Sequence, residues 1–97
     1  MPKAYWVICH RSTRSAEKFA AFTRLAYPAI QAAGGRFLVR TSSVAKTYEH
    51  GLNDRTVVIE FENLAKAMAA YDTPEYKQAL RALADGAERD VRIVEGV

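Results

Sequence analysis

Two short segments of this chain, Ala4 to His10 and Arg55 to Phe61, are apolar on both faces of an extended backbone. Successive side chains of a β-strand point to opposite faces. Tyr5, Val7 and Cys9 therefore share one face of the first segment, and Trp6, Ile8 and His10 share the other. In the second segment Val57, Ile59 and Phe61 oppose Thr56, Val58 and Glu60. Strands of this kind need cover on both sides, which excludes a sheet with one wet face.

The rest of the chain supplies cover for one side. A helix is predicted from Ser15, whose hydroxyl caps the first turn. Phe19, Phe22, Ala26, Ile30 and Ala33 then recur at helical spacing as its buried stripe. Pro28 is expected to kink it, and Gly34-Gly35 to stop it. Arg36 to Thr41 reads as a second strand, with an extension toward Tyr48 left open. His50 to Asp54 is a turn by composition, and Arg55 to Phe61 is the third strand. Asn63 caps a second helix with Leu64, Ala67, Met68 and Tyr71 inward. Thr73-Pro74 restarts it, and Tyr76, Leu80 and Leu83 continue the apolar side. Gly86 ends that segment, and Val91 to Glu95 is the last strand.

The order is β-α-β-β-α-β, and it predicts one domain over residues 1–97. The fold class is α+β, ferredoxin-like, with a four-stranded antiparallel sheet covered on one face by helices. The second face stays bare and apolar. A second copy related by a two-fold axis is the simplest cover, so a homodimer through the sheet face is expected, with Ile8 and Val58 as interface positions.

Composition removes several classes of function. The chain is 49% hydrophobic and 26% charged, as a folded globular protein is. No apolar run approaches the ~20 residues that cross a bilayer, and the first residues lack the apolar stretch of a signal peptide. With one cysteine, Cys9, there is no internal disulfide framework. These features predict a cytoplasmic protein with no membrane partner. The net charge of +3 comes from scattered basic residues mixed with acidic ones. The third strand also lacks the stacking aromatics of an RNA-recognition sheet, so no nucleic-acid partner is expected. Two histidines and one cysteine, none at paired ligand spacing, predict no metal site. No phosphate loop or dinucleotide fingerprint is present, and no cofactor is expected.

At Gly34-Gly35-Arg36-Phe37-Leu38-Val39-Arg40 the chain resembles the family called domain of unknown function 1330. Arg55 to Phe61 resembles that family's third-strand motif, and Tyr71-Asp72-Thr73-Pro74-Glu75-Tyr76 its helix break. Ala4 to Val7 and Val94-Glu95-Gly96 also fit, so the resemblance covers nearly the whole chain. It departs from the pattern at Thr41-Ser42, at Ala70 and at Cys9-His10-Arg11. The resemblance implies a dimeric α+β barrel, in which two ferredoxin-like sheets face each other. That superfamily includes cofactor-free monooxygenases, isomerases, haem-linked enzymes and regulatory binding domains, so it implies no single reaction.

Candidate site residues follow from residue chemistry and strand position. The first and third strands are expected to run parallel, so that their carboxyl ends bring His10 beside Glu60, with Arg36 near. A carboxylate orients a histidine for acid–base work, which makes His10 and Glu60 the catalytic candidates. The competing reading is a surface salt bridge. Arg40 and Arg55, with Glu95, form a second cluster that would clamp a carboxylate or phosphate; simple neutralisation by Glu95 competes with it. Tyr71 and Tyr76 flank the helix break, either lining a cleft or serving as core rings with a wet tip. Cys9 is expected to be a buried, inert thiol.

Two functions stay open. One is a small-molecule-binding domain or cofactor-free enzyme acting on a small organic anion. The other is a non-catalytic structural or interaction module. A pocket between helices and sheet lined by His10, Glu60 or the arginines would favour the first, and a filled interface the second.

Overall fold

Three capping side chains start the helices of the protein, seen in a computed structural model that describes residues 2–97. Ser15 Oγ accepts from the Lys18 backbone N–H at 3.1 Å and opens α1, Ala16–Ala32. Asn63 Oδ1 does the same for Lys66 at 2.9 Å and opens α2, Leu64–Tyr71. Thr73 Oγ1 accepts from Tyr76 at 3.2 Å and opens α3, Pro74–Leu83, with Pro74 in the first turn. The helix break at Thr73 thus divides the second helical region into two helices. α1 runs through Pro28 as one helix.

Four strands complete the chain: β1 at Ala4–Thr13, β2 at Arg36–Thr41, β3 at Thr56–Phe61 and β4 at Ala87–Glu95. They form one antiparallel sheet in the order β2-β3-β1-β4, an α+β fold of the ferredoxin-like kind. β1 and β4 are each longer than their apolar patterns indicate, since pairing continues past the buried part to Thr13↔Ala87. β2 ends at Thr41, without the extension toward Tyr48, and β3 starts at Thr56 rather than Arg55.

β1 and β3 are antiparallel, with Tyr5 opposite Glu60 and Cys9 opposite Thr56, so the parallel alignment expected of them is corrected. The reason is the chain path. The crossover through α1 returns β2 in the direction of β1, and the connection after Thr41 then reverses β3.

All three helices pack on one face of the sheet. Trp6, Ile8, Val57, Ile59 and Phe61 meet Phe22, Ala26, Ile30, Ala67, Tyr76, Ala79 and Leu83 there in one core. Trp6 is fully buried, and its indole N–H donates to the Ala67 carbonyl at 2.8 Å. That contact explains why small residues face inward from α2. Ala67 and Ala70 are buried and let the helix approach, whereas Met68, expected inward, is exposed. Gly35 serves the same close packing at the end of α1: a Cβ there would stand 2.5 Å from Ile30 Cγ2 and 2.9 Å from Ile59 Cγ2. Gly34 turns the chain with φ of +96°.

The other sheet face carries no helix among the described residues. Val7 of β1 and Val39 of β2 flank Val58 of β3 in register, and Tyr5 pairs with Val94. Cys9 lies on this face and is exposed, not buried as expected. Ile8 faces the helices and is 7% exposed, so it is a core residue rather than an interface position.

Candidate functional site

Strand parity carries His10 into the protein. It continues the Trp6–Ile8 face of β1, sits opposite Arg89 of β4, and donates its backbone N–H to the Arg55 carbonyl at 2.9 Å. Its side chain is 4% exposed, the one buried polar or charged residue among the described residues. The ring packs edge-on against Phe19 of α1 at 4.9 Å, and Nε2 is 2.7 Å from Thr13 Oγ1.

Around it lies a cleft between α1 and the sheet. Phe19, Phe22, Tyr27, Phe37 and Tyr76 give it an aromatic wall, Arg40, Arg55 and Arg89 supply its charged groups, and His10 adds an imidazole. Its cavity volume is about 50 Å³. Since ~10–15 Å³ of such space holds one water, the cleft has room for a few waters or a small group.

The arginines are the unusual part. Arg40 lies over Tyr27 at 4.3 Å, Arg89 over Phe22 at 4.5 Å and Arg55 over Phe19 at 5.7 Å. Tyr27 itself stacks on Phe37 at 4.7 Å. Among the described residues none of the three arginines forms a salt bridge, although seven such bridges exist elsewhere. Cation–π stacking holds each guanidinium in place but leaves its charge uncompensated. Burial lowers the pKa of Arg55, and the charge of Arg40 lowers it further. Burial also pushes the His10 imidazole below its usual value. Asp54 pulls it up, while Arg89 and Arg55 push it down. His10 is therefore a neutral imidazole among cations at neutral pH, able to accept a proton.

That shift has a consequence for stability. Folding disfavours the charged imidazole, so the unfolded chain takes up a proton just below its pKa of ~6.5 while the folded chain does not. The stabilisation is complete above ~6.5 and is lost as pH falls through the lower folded value. The wild-type melting temperature should fall between about pH 7.5 and pH 5.5, and that of His10→Gln should hold steady. Glu62, Asp85 and Asp90 are held below the carboxylate range by Lys66, Lys18 and Arg92, so they contribute at lower pH. Parallel pH profiles of the two proteins would show that His10 is not the group responsible.

The expected residues divide between two places. His10, Arg40, Arg55 and Tyr76 line one cleft. Glu60 does not join them. It sits opposite Tyr5, five residues or roughly 17 Å along β1 from His10, and on the other sheet face. There it accepts a long hydrogen bond from Tyr5 Oη at 3.5 Å and meets Arg36 at 4.0 Å. The His10–Glu60 pair is thus corrected, because it required parallel strands. Glu95 pairs with Ala4 at that same far end, away from Arg40 and Arg55. Tyr71 lies outside the cleft and packs on Trp6 at 5.8 Å, with Lys77 over its ring at 5.1 Å.

Arg89 belongs to the cleft, yet a last strand beginning at Val91 leaves it out. Its parity with Val91 and Ile93 is the signal that places it on the helix side. Tyr76 forms the inner wall between Trp6 at 5.1 Å and Phe22 at 6.1 Å. It is 1% exposed, and its hydroxyl has no hydrogen-bond partner. Burial raises its pKa, and the nearby Arg89 guanidinium, through its charge and its polar approach to the hydroxyl, pulls the other way.

Known structures of this shape are numerous and distant in sequence. A protein of unknown function from Rhodopseudomonas palustris superposes with a TM-score of 0.74 at 15% identity, over 99% of this chain and 83% of that one. SnoaB, a cofactor-independent oxygenase from Streptomyces nogalater, gives 0.61 at 15% identity, over 100% and 95%. A dimeric protein of unknown function and ferredoxin-like fold from Bacteroides fragilis gives 0.58 at 17%, over 97% and 96%. At these identities the likeness establishes the fold alone. No curated protein matches the chain. The family model described as domain of unknown function (DUF1330) matches residues 3–97, from the start of β1 through the end of β4, and the chain belongs to that family.

Proposed function

We propose that the cleft between α1 and the sheet binds a small organic anion, with Arg40, Arg55 and Arg89 as its anion contacts and His10 as the group that accepts its proton. The observation that carries this reading is the set of three stacked arginines without a carboxylate partner around a buried neutral histidine. Arg55 and Arg89 are partly buried beside the exposed Arg40, so an anion among them would offset their mutual repulsion. An anion set among them would also raise the basicity of His10, as proton transfer from a bound molecule requires. The reaction class in keeping with this is proton abstraction by the protein's own side chains, without a cofactor. SnoaB, a cofactor-independent oxygenase, shares the fold, which supports that class by analogy only.

The partner is a second copy of the chain, seated on the open sheet face. The in-register row of Val7, Val58 and Val39 supports this, as does the dimeric ferredoxin-like relative.

Thermal shift with small carboxylates tests the site. Wild-type protein should gain stability from at least one, by ~2.7 kcal/mol at a hundred times its dissociation constant. Arg55→Ala should lose most of that gain while folding normally. A wild type that responds to no carboxylate would sink the reading, and an undiminished response in Arg55→Ala would remove Arg55 from it.

A further inference from the structure

The arginines and His10 explain why an anion is attracted, but they do not explain Tyr76. Tyr76 lines the same cleft, its hydroxyl is buried without a partner in good hydrogen-bond geometry, and the Arg89 guanidinium lies close to it. A buried hydroxyl left unpaired costs on the order of 1–3 kcal/mol, and a phenylalanine ring would fill the same space without that cost. Its ring is held from three sides, by Trp6 at 5.1 Å, Tyr71 at 5.2 Å and Phe22 at 6.1 Å, so the hydroxyl cannot swing away to find water. Burial also keeps it protonated, hence a neutral group able to donate.

The rest of the wall narrows the ligand. Apart from Thr23, His10, the arginines and the Tyr27 and Tyr76 hydroxyls, the cleft is lined by apolar side chains, and four of the rings there belong to Phe19, Phe22, Tyr27 and Phe37. The space is small, and flat rings pack well against aromatic walls.

Building on the anion-binding reading above, we propose that the ligand is a planar conjugated acid carrying a second oxygen function, its acid group held by the arginines and its second oxygen hydrogen-bonded to Tyr76. Tyr76 is then a specificity-determining contact, selecting the oxygenated ligand over its unsubstituted analogue. A site built to bond an oxygen discriminates strongly against the analogue lacking it, since the buried partner is left unpaired.

The test is calorimetric titration of wild type and Tyr76→Phe with acetate, benzoate and the three hydroxybenzoates. Wild type should bind benzoate more tightly than acetate, and at least one hydroxybenzoate about tenfold more tightly than benzoate, the worth of one buried hydrogen bond. In Tyr76→Phe that tenfold preference should vanish while benzoate affinity stays the same. The ligand-free variant should melt at or above the wild-type temperature, because only an unpaired hydroxyl is removed. Acetate binding as tightly as benzoate would overturn the planar ligand. The absence of a hydroxybenzoate preference, or its survival in Tyr76→Phe, would overturn the role of Tyr76. Binding that depends on Arg55 but is indifferent to position 76 would leave the anion site standing and sink this proposal alone; no binding by any acid would sink both.

Discussion

Replacing Trp6 by alanine should lower the melting temperature by roughly 15–30 °C. The indole is fully buried at the centre of the helix-covered face. It touches Phe61 at 5.3 Å, Tyr76 at 5.1 Å and Tyr71 at 5.8 Å, and it bonds the Ala67 carbonyl at 2.8 Å. One side chain thus joins β1, β3, α2 and α3. Truncating a buried tryptophan costs ~3–5 kcal/mol, from lost transfer energy and the cavity left behind. A domain of this size holds only ~5–15 kcal/mol in total, and each kcal/mol is worth ~4–8 °C. The loss also reaches the cleft, because Trp6 backs the ring of Tyr76. Circular dichroism melts would check it, with Trp6→Phe as a smaller truncation and a smaller loss. A fall of less than about 5 °C for the alanine variant would mean that the core has a different centre.

Val58→Lys should convert a dimer to a folded monomer. Val58 is the middle of the valine row on the open sheet face, flanked by Val7 and Val39. It contributes nothing to the helix-side core, which draws on Val57, Ile59 and Phe61 of the same strand. In the proposed dimer the lysine of each copy would be buried in the interface. Two charges would then lose their water, at several kcal/mol each. Association should weaken at least a hundredfold, since each 1.4 kcal/mol is tenfold. Light scattering at micromolar concentration should give wild type about twice the 10.8 kDa chain mass and the variant the chain mass itself, with unchanged circular dichroism. A monomeric wild type would rule out the pairing, and a dimeric variant would move it to another surface. Ile8→Asp offers a contrast. It points the other way, into the helix-side core, so it should unfold the chain rather than dissociate it.

The element order, the three caps and the two-faced character of β1 and β3 are all legible in the amino-acid sequence by itself. Each depends on chemistry within a few residues. Ser15, Asn63 and Thr73 bond backbone three positions ahead, and side-chain alternation is a property of the extended chain itself. The same alternation puts His10 on the face of Trp6 and Ile8, and so carries part of the candidate site. Pairing His10 with Glu60 fails because it takes the first and third strands as parallel, against the antiparallel sheet that the element order itself predicts: the crossover through α1 and the reversal before β3 set β3 against β1. What tertiary structure decides is side. Cys9 and Ile8 exchange their expected environments for that reason. Both faces of β1 are apolar in sequence, and only the path of α1 determines which of them the helices cover. Arg89, Phe19, Phe22 and Tyr27 come together with His10 from three separate elements, β4, α1 and β1. Convergence of that kind comes from packing over long separations in the chain, which local periodicity does not encode.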